Sequence, residues 1–187
     1  MTVSSTLDII ARRYSCRSFR PAEVPANILQ TIAEAGLRAP SARNIQPWRL
    51  SVIGDRAAVA EVSEVGLACL KEKDPTGYER VMARGGVLLY NAPAMIVVST
   101  PCEPMEYPAA MDAGIVVSHL TLAAASLGLE SCIVAMPKVA FLGGTDPDLR
   151  ARYIPRDFEF AVAVLFGYAA SPGGLPHEPD LAKISYF

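Results

Sequence analysis

The sequence predicts an α+β fold, a sheet covered by helices on both faces, from three observations. Helix-like and strand-like segments follow one another without the strict alternation of a parallel βαβ fold. Residues 94–99, behind Pro93, read as an apolar strand of the kind buried on both faces. Residues 109–127 are periodic yet nearly apolar all round, which assigns that helix to the middle of the molecule.

The elements follow in order. Ser5 or Thr6 caps a first helix whose Leu7, Ile10 and Ala11 face inward and which ends near an arginine cluster. Pro25 opens a second, with Ile28, Leu29, Ile32 and Ala33 at helical spacing and an end near Leu37, ahead of Pro40. Residues 49–53 read as a strand closed by Gly54 and Asp55. Residues 56–73 have helical periodicity, Asp74-Pro75-Thr76-Gly77 break it, and a short helix follows from about Tyr78. After the apolar strand, the prolines of 101–108 mark a loop suited to a lid or cleft wall. Gly128 supplies a left-handed cap to the long helix. Residues 131–135 and 158–166 read as strands around a polar helix at 146–153. From Tyr168 onward Pro and Gly dominate, so 168–187 is expected to be an arm on a single domain spanning 1–187.

Composition narrows the function. A hydrophobic content of 51% and a mean hydropathy of +0.27 point to a large interior or to apolar surface used for association, as in an obligate dimer. Net charge of −2 with scattered Lys and Arg disfavours nucleic acid. The long apolar helix carries Ser118, His119, Thr121 and Ser126 and reads as buried, not membrane-spanning. The first residues have no basic start followed by an apolar stretch, which points to the cytoplasm. Cysteines 16, 69, 102 and 132 form no C-x-x-C pair, which argues against zinc and for small core thiols. No G-x-G-x-x-G follows a strand, so a Rossmann dinucleotide domain is disfavoured.

Two segments carry chemistry. Arg12-Arg13-Tyr14-Ser15-Cys16-Arg17-Ser18 gathers three arginines and two serine hydroxyls, a donor set suited to a dianionic phosphate. The Pro-bounded segment 39–48 supplies Asn44 and Gln46, whose amides both donate and accept and suit the mixed edge of a heterocycle. Each has a plainer reading, a solvated helix end and a capped loop before a strand. Trp48 reads as core, Asp112 as a helix-start cap or dipole complement, and His119 as a hydrogen-bonded core residue. Met105 and Tyr107 line a cleft or cover a dimer contact.

Together these segments resemble the nitroreductase family of FMN-dependent oxidoreductases, whose pattern is roughly R-x-S-x-R-x-F followed by P-S-x-x-N-x-Q-P-W. Asp112-Ala113-Gly114, Leu127-Gly128-Leu129 and Leu165-Phe166-Gly167-Tyr168 resemble its later landmarks. The resemblance implies a mainly antiparallel sheet in an intertwined homodimer, with FMN at the interface and the C-terminal arm on the partner. It implies hydride transfer from NADPH or NADH through FMN to a nitroaromatic, quinone or similar acceptor by a ping-pong mechanism. No protein acid or nucleophile is required.

By the same resemblance Arg13 binds the FMN phosphate, with Arg12, Tyr14 and Ser15 beside it, and Arg17 stands near flavin N1 and O2. Pro40, Ser41, Asn44 and Gln46 reach the flavin from the other subunit. Ile133 and Ala135 belong to the strand end that contacts the ring. Where many members place a Lys or Arg pair from the arm on the phosphate, this sequence offers His177 and, further on, Lys183. No metal is implied. The alternatives are a flavin-binding or storage module, or another flavin chemistry on the same fold, such as flavin fragmentation or dehalogenation.

Overall fold

The computed structural model describes residues 5–143, 146–171 and 174–187; residues 1–4, Gly144, Thr145 and the expected arm's Pro172 and Gly173 lie outside them. Four strands, β1 Arg49–Ile53, β2 Ala94–Pro101, β3 Glu130–Val134 and β4 Phe158–Gly167, form a sheet in the order β1-β2-β4-β3, antiparallel throughout. The mainly antiparallel expectation is met.

Side-chain alternation along β2 sorts the interior into two layers. Met95 and Val97 face one core with Val59, Val62 and Phe141, while Ala94, Ile96 and Val98 face another with Ile32, Val116 and Leu120. The first core lies under α3 Arg56–Lys73, α4 Pro75–Met82, α6 Pro137–Leu142 and α7 Pro147–Tyr153; the second lies under α2 Ala26–Leu37 and α5 Ala109–Ser126. Helices therefore cover both faces. A bulge interrupts the β2–β4 register, Val98 opposing Val162 and Ser99 opposing Phe160. The unpaired Ala161 shares the second core with Val162, so Phe160 can join Ala163 and Leu165 in the first.

Helix α5 is long and apolar enough to cross a membrane by length and composition. It is a core helix here, with Ala113, Val116, Val117, Leu120 and Ala124 buried against the sheet and α2. Gly128 sits at φ +78°, as its capping role requires. Gly36 lets α2 approach α5, because a Cβ there would press on the Leu120 side chain.

Several expectations need correction. Helix α1, Thr6–Arg12, is capped by Ser5 in a reciprocal box with Asp8, but Leu7, Ile10 and Ala11 are exposed. This two-turn helix packs on α5, where Arg12 reaches Ala125, and none of its residues is buried, so its apolar face stays open. Helix α4 begins at Pro75, because Pro is tolerated at N1 and the Asp74 carboxylate caps the Gly77 N–H at 2.9 Å. Helix α6 was not expected: six residues after a Pro are too short to show a period. Cys16, Cys69 and Cys132 are buried, but Cys102 is exposed in the proline loop.

Candidate functional site

After α1 the chain turns extended at Arg13, and Ser15 pairs in parallel with Ser131 on β3, the outer strand of the sheet. The Cys16 N–H donates to Ser131 O at 2.9 Å. Further along, Arg20 N–H donates to Tyr168 O and Ala170 N–H to Ser18 O, at 2.8 and 2.9 Å. Buried Cys16 and Phe19 anchor this segment from beneath. The arginine cluster is thus held along a sheet edge that would otherwise offer unpaired backbone.

The cluster divides by partner. Arg12 donates from Nη2 to Ala125 O at 2.9 Å, placing its charge at the C-terminal end of α5, where the dipole favours a cation. The side chains of Arg13, Ser15 and Arg17 have no hydrogen bond or ion pair among the described residues. Burial pushes the Cys132 thiol up, while the charges of Arg17 and Arg13 pull it back, so both guanidiniums are felt at β3. Burial likewise raises Cys16.

Tyr14 lies between these groups. Its hydroxyl is pushed up to about 12 by burial and by the charge of Glu130. The backbone of Gly174 rests against the ring so closely that a Cβ there would overlap it, so the C-terminal segment crosses over Tyr14. Glu130 is itself raised by burial, an effect that Arg12 opposes. His177 is exposed three residues beyond Gly174, and Lys183 stands 3.9 Å from Asp180.

On β3, Val134 points into the core while Ile133 is exposed, and Ala135 just beyond the strand is exposed as well. Ile133 opens onto a cavity lined by Ala113, Gly114 and Val117 of α5.

The second motif is a strained loop. Arg43, Asn44 and Gln46 adopt φ of 51°, 56° and 53°, left-handed values that together cost a few kcal/mol unless the surroundings impose them. The Gln46 N–H donates to Ser41 Oγ at 2.9 Å, and Gln46 Nε2 donates to Asn44 Oδ1 at 3.0 Å. Buried Asp112, in the first turn of α5, accepts from the Ala42 N–H at 3.3 Å. Arg43 makes a bidentate pair with Glu106 at 3.0 and 3.2 Å and lies over the Tyr107 ring. Pro40 and the amides of Asn44 and Gln46 are left at the surface.

Within one chain the two motifs are not brought together. Arg12 is tied to Ala125 near the end of α5 and Ala42 to Asp112 near its start, about 20 Å apart along the helix axis. Asp112 and Glu106 escaped the sequence reading as loop supports. Their signal, an acid opening an apolar helix and one in a proline loop, does not name a partner seventy or sixty-three residues away.

The nitroreductase family model matches residues 10–165, the stretch that contains both motifs and all four strands apart from the last two residues of β4. The chain belongs to the nitroreductase family. A crystal structure of a nitroreductase with bound FMN from Desulfitobacterium hafniense superposes with a TM-score of 0.88 at 40% identity, covering 97% of each chain. The nitroreductase NfnB of Mycolicibacterium smegmatis is 28% identical over 196 aligned positions, 86% of this chain and 81% of that protein. The NADH dehydrogenase of Thermus thermophilus is 47% identical over 53 residues, which span 28% of this nitroreductase-family chain and 26% of that protein.

Proposed function

We infer that this protein is an FMN-dependent oxidoreductase that takes a hydride from NADPH or NADH and passes it to a nitroaromatic, quinone or similar acceptor in two separate half-reactions. The observation that carries the reading is the donor set of Arg13, Ser15 and Arg17, unengaged among the described residues and held along β3 by the Ser15–Ser131 pairing, with Ile133 exposed on the same strand and Ala135 exposed just beyond it. The donors fit FMN: two guanidiniums and a hydroxyl suit a phosphate and an electron-rich ring edge, and the apolar strand end suits a ring face. When bound, FMN supplies the hydride chemistry at N5.

The protein's part is to bind, orient and stabilise. Arg13 and Ser15 hold the phosphate and ribityl end, with Tyr14 contributing mainly backbone. Arg17 supplies positive charge at N1 and O2, where reduction leaves negative charge. Ile133 and Ala135 provide the ring contact. Arg12, engaged at Ala125, steadies the segment, and its remaining donors reach outward. His177 contributes from the arm, three residues beyond the Gly174 backbone that rests on the Tyr14 ring. Pro40, Ser41, Asn44 and Gln46 complete the site from a second copy, since their own chain holds them at the far end of α5.

A homodimer fits the surface. The chain exposes 11054 Å², against about 8,700 Å² for a compact monomer of this mass. Leu7, Ile10, Met111, Leu181 and Tyr186 are among the exposed apolar side chains. We read residues 1–187 as one domain, with 168–187 its arm, working in the cytoplasm.

The test is the visible spectrum of the protein after addition of FMN and desalting, followed by anaerobic NADPH and NADH. Retained flavin bands that bleach are expected. Bands that persist under both nicotinamides would make the protein a flavin-binding module, and absence of retained flavin would overturn the reading.

A further inference from the structure

Two thiols lie side by side beneath the arginine segment, and the reading above does not use them. Ser15 pairs in parallel with Ser131, and the Cys16 N–H donates to Ser131 O at 2.9 Å, so the next residues along, Cys16 and Cys132, are neighbours across the same pair. Alternation turns both side chains to one side, and both are buried in the first core. Paired strands lie about 4.8 Å apart, within the about 4.4–6.8 Å between Cα atoms that a disulfide spans. The thiols are close enough that charge on Cys16 disfavours charge on Cys132.

Neither sulfur is strongly committed. Cys16 Sγ donates to Ser18 O at 3.2 Å and lies beside the Tyr14 hydroxyl, while Cys132 Sγ donates to Ile133 O at 3.7 Å. The other cysteines sit elsewhere, Cys69 on α3 and Cys102 in the proline loop. The arginine segment is added to an outer strand by the Cys16–Ser131 bond and to the chain after β4 by the Arg20–Tyr168 and Ala170–Ser18 bonds. Local opening of such an edge segment costs less than global unfolding and admits a small oxidant to the sulfurs.

We propose that peroxide converts Cys16 and Cys132 to a reversible disulfide, a covalent clamp that fixes Arg13, Ser15 and Arg17 along β3 and slows the loss of FMN. The effect on FMN rests on the proposed flavin site; the disulfide itself does not. Burial holds both thiols up and makes the reaction slow, but the charges of Arg17 and Arg13 favour the thiolate at Cys132, which is therefore the attacking sulfur. Its sulfur takes one peroxide oxygen as the O–O bond breaks, leaving a sulfenic acid and one water. The Cys16 sulfur then displaces the hydroxyl as a second water and closes the S–S bond. Two thiols lose two electrons and two protons in all, and the peroxide takes up both.

The experiment treats the holoprotein with hydrogen peroxide and follows intact mass, a non-reducing peptide map and FMN release on dilution by flavin fluorescence, before and after a thiol reductant. Wild type is compared with Cys16→Ala and with Cys132→Val, which keep apolar side chains in the core. The expected result in the wild type is a loss of about 2 Da, one Cys16–Cys132 cross-linked peptide and FMN release at least about threefold slower, all reversed by the reductant and absent from both variants. The wild-type map decides the disulfide even where a variant folds poorly. Free thiols at both positions, or sulfinic acid at either without a cross-link, would overturn the proposal. A mapped disulfide with unchanged FMN release would overturn the clamp. A mapped disulfide in a protein that never retains FMN would keep the cross-link and sink the flavin reading.

Discussion

The neighbouring arginines of the N-terminal segment divide by what they touch. Arg12 is engaged at the end of α5, whereas Arg13 and Arg17, beside β3, have no hydrogen-bond or ion-pair partner among the described residues. Replacing Arg13 with Ala removes charge-assisted bonds to a phosphate, and FMN affinity measured by fluorescence titration is expected to fall about 10- to 100-fold. Arg17→Ala is expected to keep more of the flavin but to slow its bleaching by NADPH at least about tenfold in stopped flow. Equal binding losses with an unchanged reduction rate in both variants would contradict these roles. Glu130 makes a different prediction. Burial raises its folded-state pKa above the ordinary 4.5, so the folded protein prefers the protonated form and loses stability as pH rises through that window. Glu130→Gln should therefore match the wild type in Tm at low pH and exceed it increasingly as pH climbs past 4.5. A constant offset at all pH values would show that charge burial is not the cause.

Elements in this fold are held by contacts that span long sequence distances. The loop 43–46, left-handed at Arg43, Asn44 and Gln46, stays in place because Asp112 on α5 and Glu106 in the proline loop hold it from two sides. Asp112→Ala leaves the Ala42 N–H without its acceptor and should cost about 1–3 kcal/mol in urea unfolding, while Asp112→Asn, which can still accept, should cost less. A loop that merely rests on α5 would show no difference between the two. Helices α2 and α5 meet at Gly36, where an added Cβ presses on fully buried Leu120. Gly36→Ala gains helix propensity of about 1 kcal/mol but overpacks the contact, so a net loss of about 1 kcal/mol is expected. Adding Leu120→Val should recover part of that loss, because the two sites share one contact. Strictly additive effects would mean that α2 shifts freely.

For the molecule as a whole, excess surface and divided motifs have one remedy. A second copy would cover part of the roughly 2,400 Å² by which the chain exceeds a compact monomer. It would also bring one chain's loop 40–46 to the other chain's arginine segment. Light scattering should give about 40 kDa, twice the 20.0 kDa chain. Leu7→Asp with Ile10→Asp should shift the mass toward the monomer and release flavin in parallel, because α1 presents these side chains outward and has no core of its own. A monomeric wild type that retains flavin would remove the need for the second copy.

The sequence by itself determined the elements whose signals are local. Pro25 and Gly128 mark helix ends, and 49–53 and 56–73 appear in the structure at their expected bounds, since caps and periodicity depend on near neighbours. It also determined the family, because both motifs keep their residues in order along the chain. Only the tertiary structure decided which arginine is engaged, that Asp112 serves a loop seventy residues away, that α1 faces outward, and that the two motifs lie at opposite ends of α5. Those outcomes depend on which surfaces the folded sheet and its helices leave within reach of one another, and no residue's immediate neighbours in sequence encode that distance.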